Sequence, residues 1–235
     1  MRLHLAALLP FVLLTVGCGG DDDPTEPQTG ELVVRSQSVT DAAPVGPSSS
    51  SAAASRQSGD PTSYVVGFYR FYLAANADCS SPVLLGSNSS IRSLDLLTNP
   101  VLFTVSGTPG SYECIVMSIS DVFSFVPATS FGPCTAGTTY QVDTYYDGET
   151  DFVDVDGNPI TGSGDDASPV DNQVDVFFST NPAAVIARGY SPNQVVPLEN
   201  GPTIPGAATF VYDVRGQVID ENGECRSAGG TYTFR

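Results

Sequence analysis

The sequence predicts an all-β protein, an antiparallel β-sandwich with few or no helices, behind a removable N-terminal segment. Short runs rich in valine, isoleucine and aromatic residues recur along the chain, separated by Gly, Pro, Asn or Asp, as strands joined by turns require. No stretch repeats its apolar residues at helical spacing over three turns. Beyond the N-terminal segment the chain has the size of one all-β domain, enough to bury a real core. Many short strands with turn signals between them select a sandwich. The strands are too uneven, and too acidic on both faces, for the lipid-facing band of a membrane barrel.

The elements follow in order. Arg2 supplies a positive start, and Leu3 to Val16 form an apolar run broken by Pro10. That run is too short to cross a bilayer core of ~30 Å as a stable helix, which favours a cleaved signal. Leu14-Thr15-Val16-Gly17-Cys18 resembles a bacterial lipobox, with Thr15 where leucine is commonest. Residues 1–17 are therefore expected to be a lipoprotein signal peptide, Cys18 the lipidation site and 18–30 an acidic tether. By resemblance to lipoproteins of two-membrane bacteria, Gly19 in place of aspartate argues for the outer membrane. Asp21, Asp22 and Asp23 look like clusters that direct export to the cell surface, although a solvated spacer has the same composition. The expected location is the outer membrane, on its periplasmic face or at the cell surface, with the membrane itself as partner through the lipid.

Residues 31–235 are expected to form the single domain. Glu31 to Val39 reads as the first strand, followed by a low-complexity Ser/Ala/Pro/Gly loop at about 40–62. Tyr64 to Leu73 is an aromatic and valine-rich strand. Further strands are expected at Val101–Val105, Tyr112–Ile119, Val122–Val126, Thr139–Tyr146 and Phe152–Val155. The last four are Val174–Ser179, Val185–Arg188, Thr209–Ile219 and Thr231–Phe234. The period of two sets Ile115, Met117 and Ile119 on one face, and Tyr140 with Val142 opposite Gln141 and Asp143. Ser93 to Thr98 fits either a short helical turn or a buried strand.

Gly30-Glu31-Leu32-Val33-Val34, then Thr40-Asp41-Ala42-Ala43-Pro44, an aromatic strand, Leu94-Asp95-Leu96-Leu97 and Gly107-Thr108-Pro109-Gly110-Ser111-Tyr112 come in a telling order. It resembles a family of bacterial lipoprotein β-sandwich domains of unknown function, over about residues 30–126. Such domains carry a TDAP-like corner, an LDLL-like segment and a GxY turn. This chain departs from them by an extra alanine in the corner, by the Ser/Ala loop and by its cysteines. The resemblance implies an immunoglobulin-like or transthyretin-like sandwich on the cell envelope and brings no catalytic residues with it.

Composition narrows the chemistry. The formal net charge is -17, with 26 acidic residues against nine basic ones. Every basic residue is arginine. Such a surface repels phosphate backbones, so no nucleic-acid partner is expected; it suits cations, or solubility in salt. The only histidine is His4, inside the expected signal, so the mature chain has no Ser-His-Asp or Cys-His pair and no imidazole zinc site. Without lysine there is no Schiff base. Tryptophan is absent too, which weakens a sugar-stacking platform. No enzyme activity is expected.

Cys79, Cys114, Cys134 and Cys225 remain once Cys18 is set aside, and in an exported protein four thiols read as two disulfides with three possible pairings. The favoured pairing joins Cys114 to Cys134 across neighbouring strands and Cys79 to Cys225. A four-thiolate metal site is disfavoured because no CxxC occurs.

The stretch from Asp143 to Asp175 carries ten carboxylates and no base. Asp147, Glu149, Asp151, Asp154 and Asp156 are the candidate metal ligands, with Ca²⁺ as the one candidate cofactor, because Ca²⁺ takes several oxygens from flexible loops. The pattern is not an EF-hand: Phe152 stands where the first aspartate belongs and the closing glutamate is missing. The alternative is a hairpin turning at Asp156-Gly157 or Gly157-Asn158 with its carboxylates in water. A hydrolytic carboxylate pair could sit among these acids, but no spacing selects one. The aromatic run Tyr64, Phe68, Tyr69, Phe71 and Tyr72 could face a ligand, though alternate members of such a run usually fill a core. Asn88-Ser89-Ser90 matches a glycosylation sequon without consequence in a bacterial lipoprotein. The function expected from these residues is a lipid-anchored envelope module with a non-catalytic binding, adhesion or structural role, its partner an envelope protein or a glycan. A Ca²⁺-stabilised surface module is the alternative, and a carboxylate-based hydrolase the remote one.

Overall fold

A computed structural model describes residues 28–39, 57–143, 152–160 and 173–235. The expected signal peptide, Cys18, most of the tether and residues 40–56 of the low-complexity loop lie outside the described residues.

The chain builds the expected all-β sandwich. The smaller sheet runs β16 (Thr231–Phe234), β13 (Gly206–Asp213), β1 (Gly30–Ser38) and β5 (Val101–Gly107). The larger runs β11 (Val195–Pro197), β10 (Gln173–Ser179), β7 (Cys114–Ser120), β3 (Pro61–Ala74), β8 (Val122–Pro127) and β9 (Tyr140–Asp143). A further strand, β4 (Val83–Asp95), pairs with the opposite edge of β3. Two small ladders complete it: β2 (Ser58–Gly59) with β14 (Val218–Glu221) and β15 (Glu224–Ser227), and β6 (Gly110–Ser111) with β12 (Thr203–Ile204).

The two sheets face each other through aromatic side chains. Phe71 meets Phe103 at 5.3 Å between ring centroids, Tyr64 meets Tyr212 at 5.4 Å, and Phe178 meets Phe210 at 6.0 Å. Alternation on β1 buries Leu32, Val34 and Ser36, and on β7 it sends Ile115 and Met117 into the same core. Each apolar side chain among these contributes about 1.5–3 kcal/mol when fully buried. In β3 a register shift between Phe68 and Arg70 resets the period, so Phe68 and Phe71 both point inward. Tyr72 goes to the outer face, where it joins Val116, Phe177, Val185 and Tyr190 in a second cluster.

Several sequence expectations are corrected. Not every pairing is antiparallel: β1 runs parallel to β13, and β10 parallel to β11. These partners are not hairpin neighbours, so no tight turn dictates their direction. Val185–Arg188 is not a strand: Val185–Ala187 ends helix α1 (Pro182–Ala187) and Arg188 is its C-cap. Asn181 caps it by accepting from the Ala184 N–H at 3.4 Å, and Pro182 opens its first turn. Thr209–Ile219 is two strands, divided at Arg215-Gly216, where Gly216 takes φ +65° and Asp213 accepts from the Arg215 N–H at 3.1 Å. Phe152–Val155 forms only an isolated bridge, Val153 to Pro159. The low-complexity loop ends earlier than expected, because Ser58–Gly59 already pairs with β14 and β3 begins at Pro61. Ser93–Thr98 divides between the end of β4 and a 3-10 turn at Leu96–Thr98, held by the Asp95 carboxylate accepting from the Leu97 N–H at 3.0 Å.

The disulfides also pair differently. Cys79 bonds Cys114 and Cys134 bonds Cys225. Ala74, the last residue of β3, lies opposite Cys114, so the chain leaving β3 carries Cys79 back over it. Cys134 closes a tight turn with Phe131 and sits beside β14, whose hairpin with β15 presents Cys225 opposite Asp220. Two disulfides indicate a protein of a non-cytoplasmic compartment. No helix among the described residues is long and apolar enough to cross a membrane.

Candidate functional site

Strands β7 and β8 lie one after the other along the same side of β3. Between them the chain breaks at Asp121, where Ser120 Oγ accepts from the Val122 N–H at 3.1 Å. The break sends β7 toward β10 and β8 toward β9, which leaves space between the two sheets. The space is a cavity of about 510 Å³, within the range of small-ligand sites.

The lining is built from residues far apart in the chain. Phe68, Phe123 and Phe178 come from the larger sheet, and Phe210, Tyr212 and Tyr232 from the smaller. Met117, Ile119 and Val176 form the apolar floor, and Phe152 reaches in from the turn that follows residue 151. Asn193 and Ala228 are exposed members of the lining, and the cavity is open to solvent. Two carboxylates, Asp121 and Glu221, belong to the lining, and among the described lining residues there is no arginine. Asp121 is buried; Glu221 is half-buried and lies 3.6 Å from the Arg226 guanidinium.

One end of the cavity is polar without being charged. Tyr212 and Tyr232 stack at 5.9 Å, Tyr64 shares a hydrogen bond with the Ser227 hydroxyl at 3.1 Å, and Gly229 and Gly230 pass close by. A Cβ on Gly230 would meet Tyr212 Cζ at 2.7 Å, so only glycine lets the backbone close over that ring. Burial pushes the phenol pKa of Tyr64, Tyr212 and Tyr232 upward, Tyr212 most strongly, so all three stay neutral hydrogen-bonding groups.

Within the acidic stretch, the described residues Asp154, Asp156 and Asp175 have separate roles, and Asp165, Asp166 and Asp171 lie outside the described residues. Asp154 is tied into its own turn: Oδ1 accepts from the Asp156 N–H at 2.9 Å and the Asn158 N–H at 2.8 Å. Asp156 is exposed on that turn, and Gly157 carries φ +82°. This is the geometry of a capped turn, in which backbone N–H groups take up the carboxylate lone pairs. Asp147, Glu149 and Asp151 lie outside the described residues, and among the described residues no three acidic or sulfur side chains gather as a metal site.

Asp175 sits on the outer face of the larger sheet, in a cross-strand row with Ser118 and Arg70. It accepts from the Ser118 hydroxyl, and its Oδ2 accepts from the Val155 N–H at 2.7 Å. Burial pushes its carboxyl above the usual range, partly offset by those two hydrogen bonds. Gln194 completes the anchor, donating to the carbonyls of Val153 at 2.7 Å and Asp175 at 2.9 Å. These bonds hold the 152–160 turn, and with it Phe152, against the sandwich.

Of the aromatic run singled out in the sequence, Phe68 lines the cavity while Tyr64 and Phe71 pack in the core beside it. Asp121, Glu221 and the Tyr212–Tyr232 wall had no sequence signal, since nothing local separates a cavity-lining phenylalanine from a core one. Comparison of the chain with protein-family models, with curated proteins and with solved structures finds no match.

Proposed function

We propose that this is an exported binding protein, held at the outer membrane by lipid on Cys18, whose inter-sheet cavity takes a small, largely apolar ligand. The cavity itself carries the reading. Protein interiors pack to crystal-like density with few voids larger than a water molecule. This space of about 510 Å³ opens to solvent and falls in the size range of small-ligand sites, and a ligand would recover contacts that its apolar walls forgo.

Binding rather than catalysis fits the residue inventory, since no histidine follows His4 and no lysine occurs. The lipobox-like Leu14–Cys18 and the resemblance over residues 30–126 support the envelope placement. Two disulfides agree with an oxidising compartment. In this account the tether holds the domain at the membrane, where apolar small molecules partition.

Two measurements test the parts separately. Cys18→Ala, expressed from the full chain in a bacterium with two membranes, is expected to move the protein from the membrane fraction to the soluble one; unchanged partitioning contradicts the anchor. N-phenyl-1-naphthylamine, a neutral apolar fluorophore, is expected to bind the mature domain at one saturable site. A linear, non-saturating signal contradicts the cavity as a ligand site.

A further inference from the structure

The polar end of the cavity is a hydrogen-bond network with one hydroxyl left over. Tyr64 shares hydrogen bonds with the Ser227 hydroxyl at 3.1 Å and with the Tyr212 phenol. Ser227 Oγ also accepts from the Gly229 N–H at 3.2 Å, and the Tyr212 phenol accepts from the Gly230 N–H. Tyr232 lies opposite Tyr212 in the register of β13 and β16, so both rings leave the smaller sheet on its inner face. The Tyr232 ring is already engaged, stacked at 5.9 Å on Tyr212 and edge-on at 5.8 Å to Phe178. Its hydroxyl has no hydrogen-bond partner among the described residues. Burial, with the Tyr64 phenol nearby, keeps that hydroxyl protonated and able to donate.

Resting on the reading of the cavity as a ligand site, we propose that its ligand is a neutral lipophile carrying a carbonyl oxygen, which accepts from the Tyr232 hydroxyl while the hydrocarbon body fills the space lined by Phe68, Phe123 and Met117. Water can hold the hydroxyl while the cavity is empty. A ligand that displaces this water has to return the hydrogen bond or bind more weakly, so a pure hydrocarbon fits the walls and fails the polar end. An ion gives up its hydration on entry and finds no free counter-charge. Glu221 is paired with Arg226, and Asp121 has its own partner within the chain. The recognition is therefore by one neutral hydrogen bond set in an apolar wall.

The test uses benzophenone and 1,1-diphenylethylene, which differ only in C=O against C=CH₂, as competitors of N-phenyl-1-naphthylamine on the mature domain. Both are expected to displace the fluorophore from the wild type. Tyr232→Phe is expected to weaken benzophenone by about three- to tenfold relative to 1,1-diphenylethylene, the size of one neutral hydrogen bond. Comparing the ratio of two ligands across two proteins cancels their different hydration. A ratio unchanged by Tyr232→Phe overturns the proposal and leaves the cavity as an apolar site. A bound fluorophore that neither compound displaces overturns it as well. If fluorophore and competitors all fail to bind, the ligand site itself is removed. The same variant also reads the empty domain: with no protein partner to lose, Tyr232→Phe is expected to leave the urea unfolding midpoint in place. A clear fall, or failure to fold, shows the hydroxyl to be held by the protein and overturns the proposal. In the infrared, the carbonyl stretch of bound benzophenone is expected at lower frequency in the wild type than in Tyr232→Phe, and equal frequencies contradict the hydrogen bond.

Discussion

Phe178→Ala is expected to destabilise the domain by about 3–5 kcal/mol, the range for deleting a fully buried aromatic ring. Phe178 is completely buried on β10 and is the point where the larger sheet meets the smaller. Its ring packs edge-on against Phe234 at 4.7 Å and Phe210 at 6.0 Å, and meets Tyr232 at 5.8 Å. The strands that carry those partners, β13 and β16, close the chain. Removing one ring therefore loosens three contacts at once and enlarges a cavity that is already open. Against a domain stability of roughly 5–15 kcal/mol, such a loss is large enough to read as a shift of the urea unfolding midpoint. A loss below about 1 kcal/mol would mean that the sheets are not held together through this cluster.

The double replacement Cys134→Ser with Cys225→Ser is expected to cost about 3–5 kcal/mol, and more than the corresponding change at Cys79 and Cys114. The reason is loop length: the first bond spans 91 residues and the second 35, and the unfolded chain regains more freedom from the longer loop. A second consequence follows from position. Cys225 belongs to β15, which with β14 brings Glu221 and Ser227 to the cavity. Its removal should therefore weaken fluorophore binding as well as stability. The change at Cys79 and Cys114 acts on the far end of β3 and should leave binding intact in the folded fraction. Equal costs for the two bonds, with equal effects on binding, would contradict this assignment.

How far the sequence could be read depended on whether the signal was local. Strands β1, β5, β8, β10 and β16 fall within one or two residues of their expected bounds, because alternation and flanking turn residues mark them directly. Most of strand β4 is not expected: Val83–Arg92 holds Gly86, Asn88 and several serines, which read as turn, and pairing with β3 holds it extended; only Ser93–Asp95 falls in a segment read as helical turn or strand. In the other direction, β-branched Val185 and Ile186 read as strand while Asn181-Pro182 had already set a helix start. The disulfide pairing was illegible for a third reason. It depends on which loops fold back over which strands, and Cys79–Cys114 is decided by the register of β3 against β7. The cavity is the extreme case, since Phe68, Asp121, Phe210 and Glu221 meet only through the whole topology.

The account stands on the cavity between the sheets, and a titration reads it directly. N-phenyl-1-naphthylamine is the probe, because its emission rises when it leaves water for an apolar site. Titrated into the mature domain, it should give a blue-shifted signal that saturates at one molecule per chain. Ala228→Trp, at an exposed position of the lining, should abolish that signal while changing stability by no more than about 0.5 kcal/mol. A signal that never saturates, or one that saturates equally in wild type and Ala228→Trp, would contradict the assignment of this cavity as the binding site.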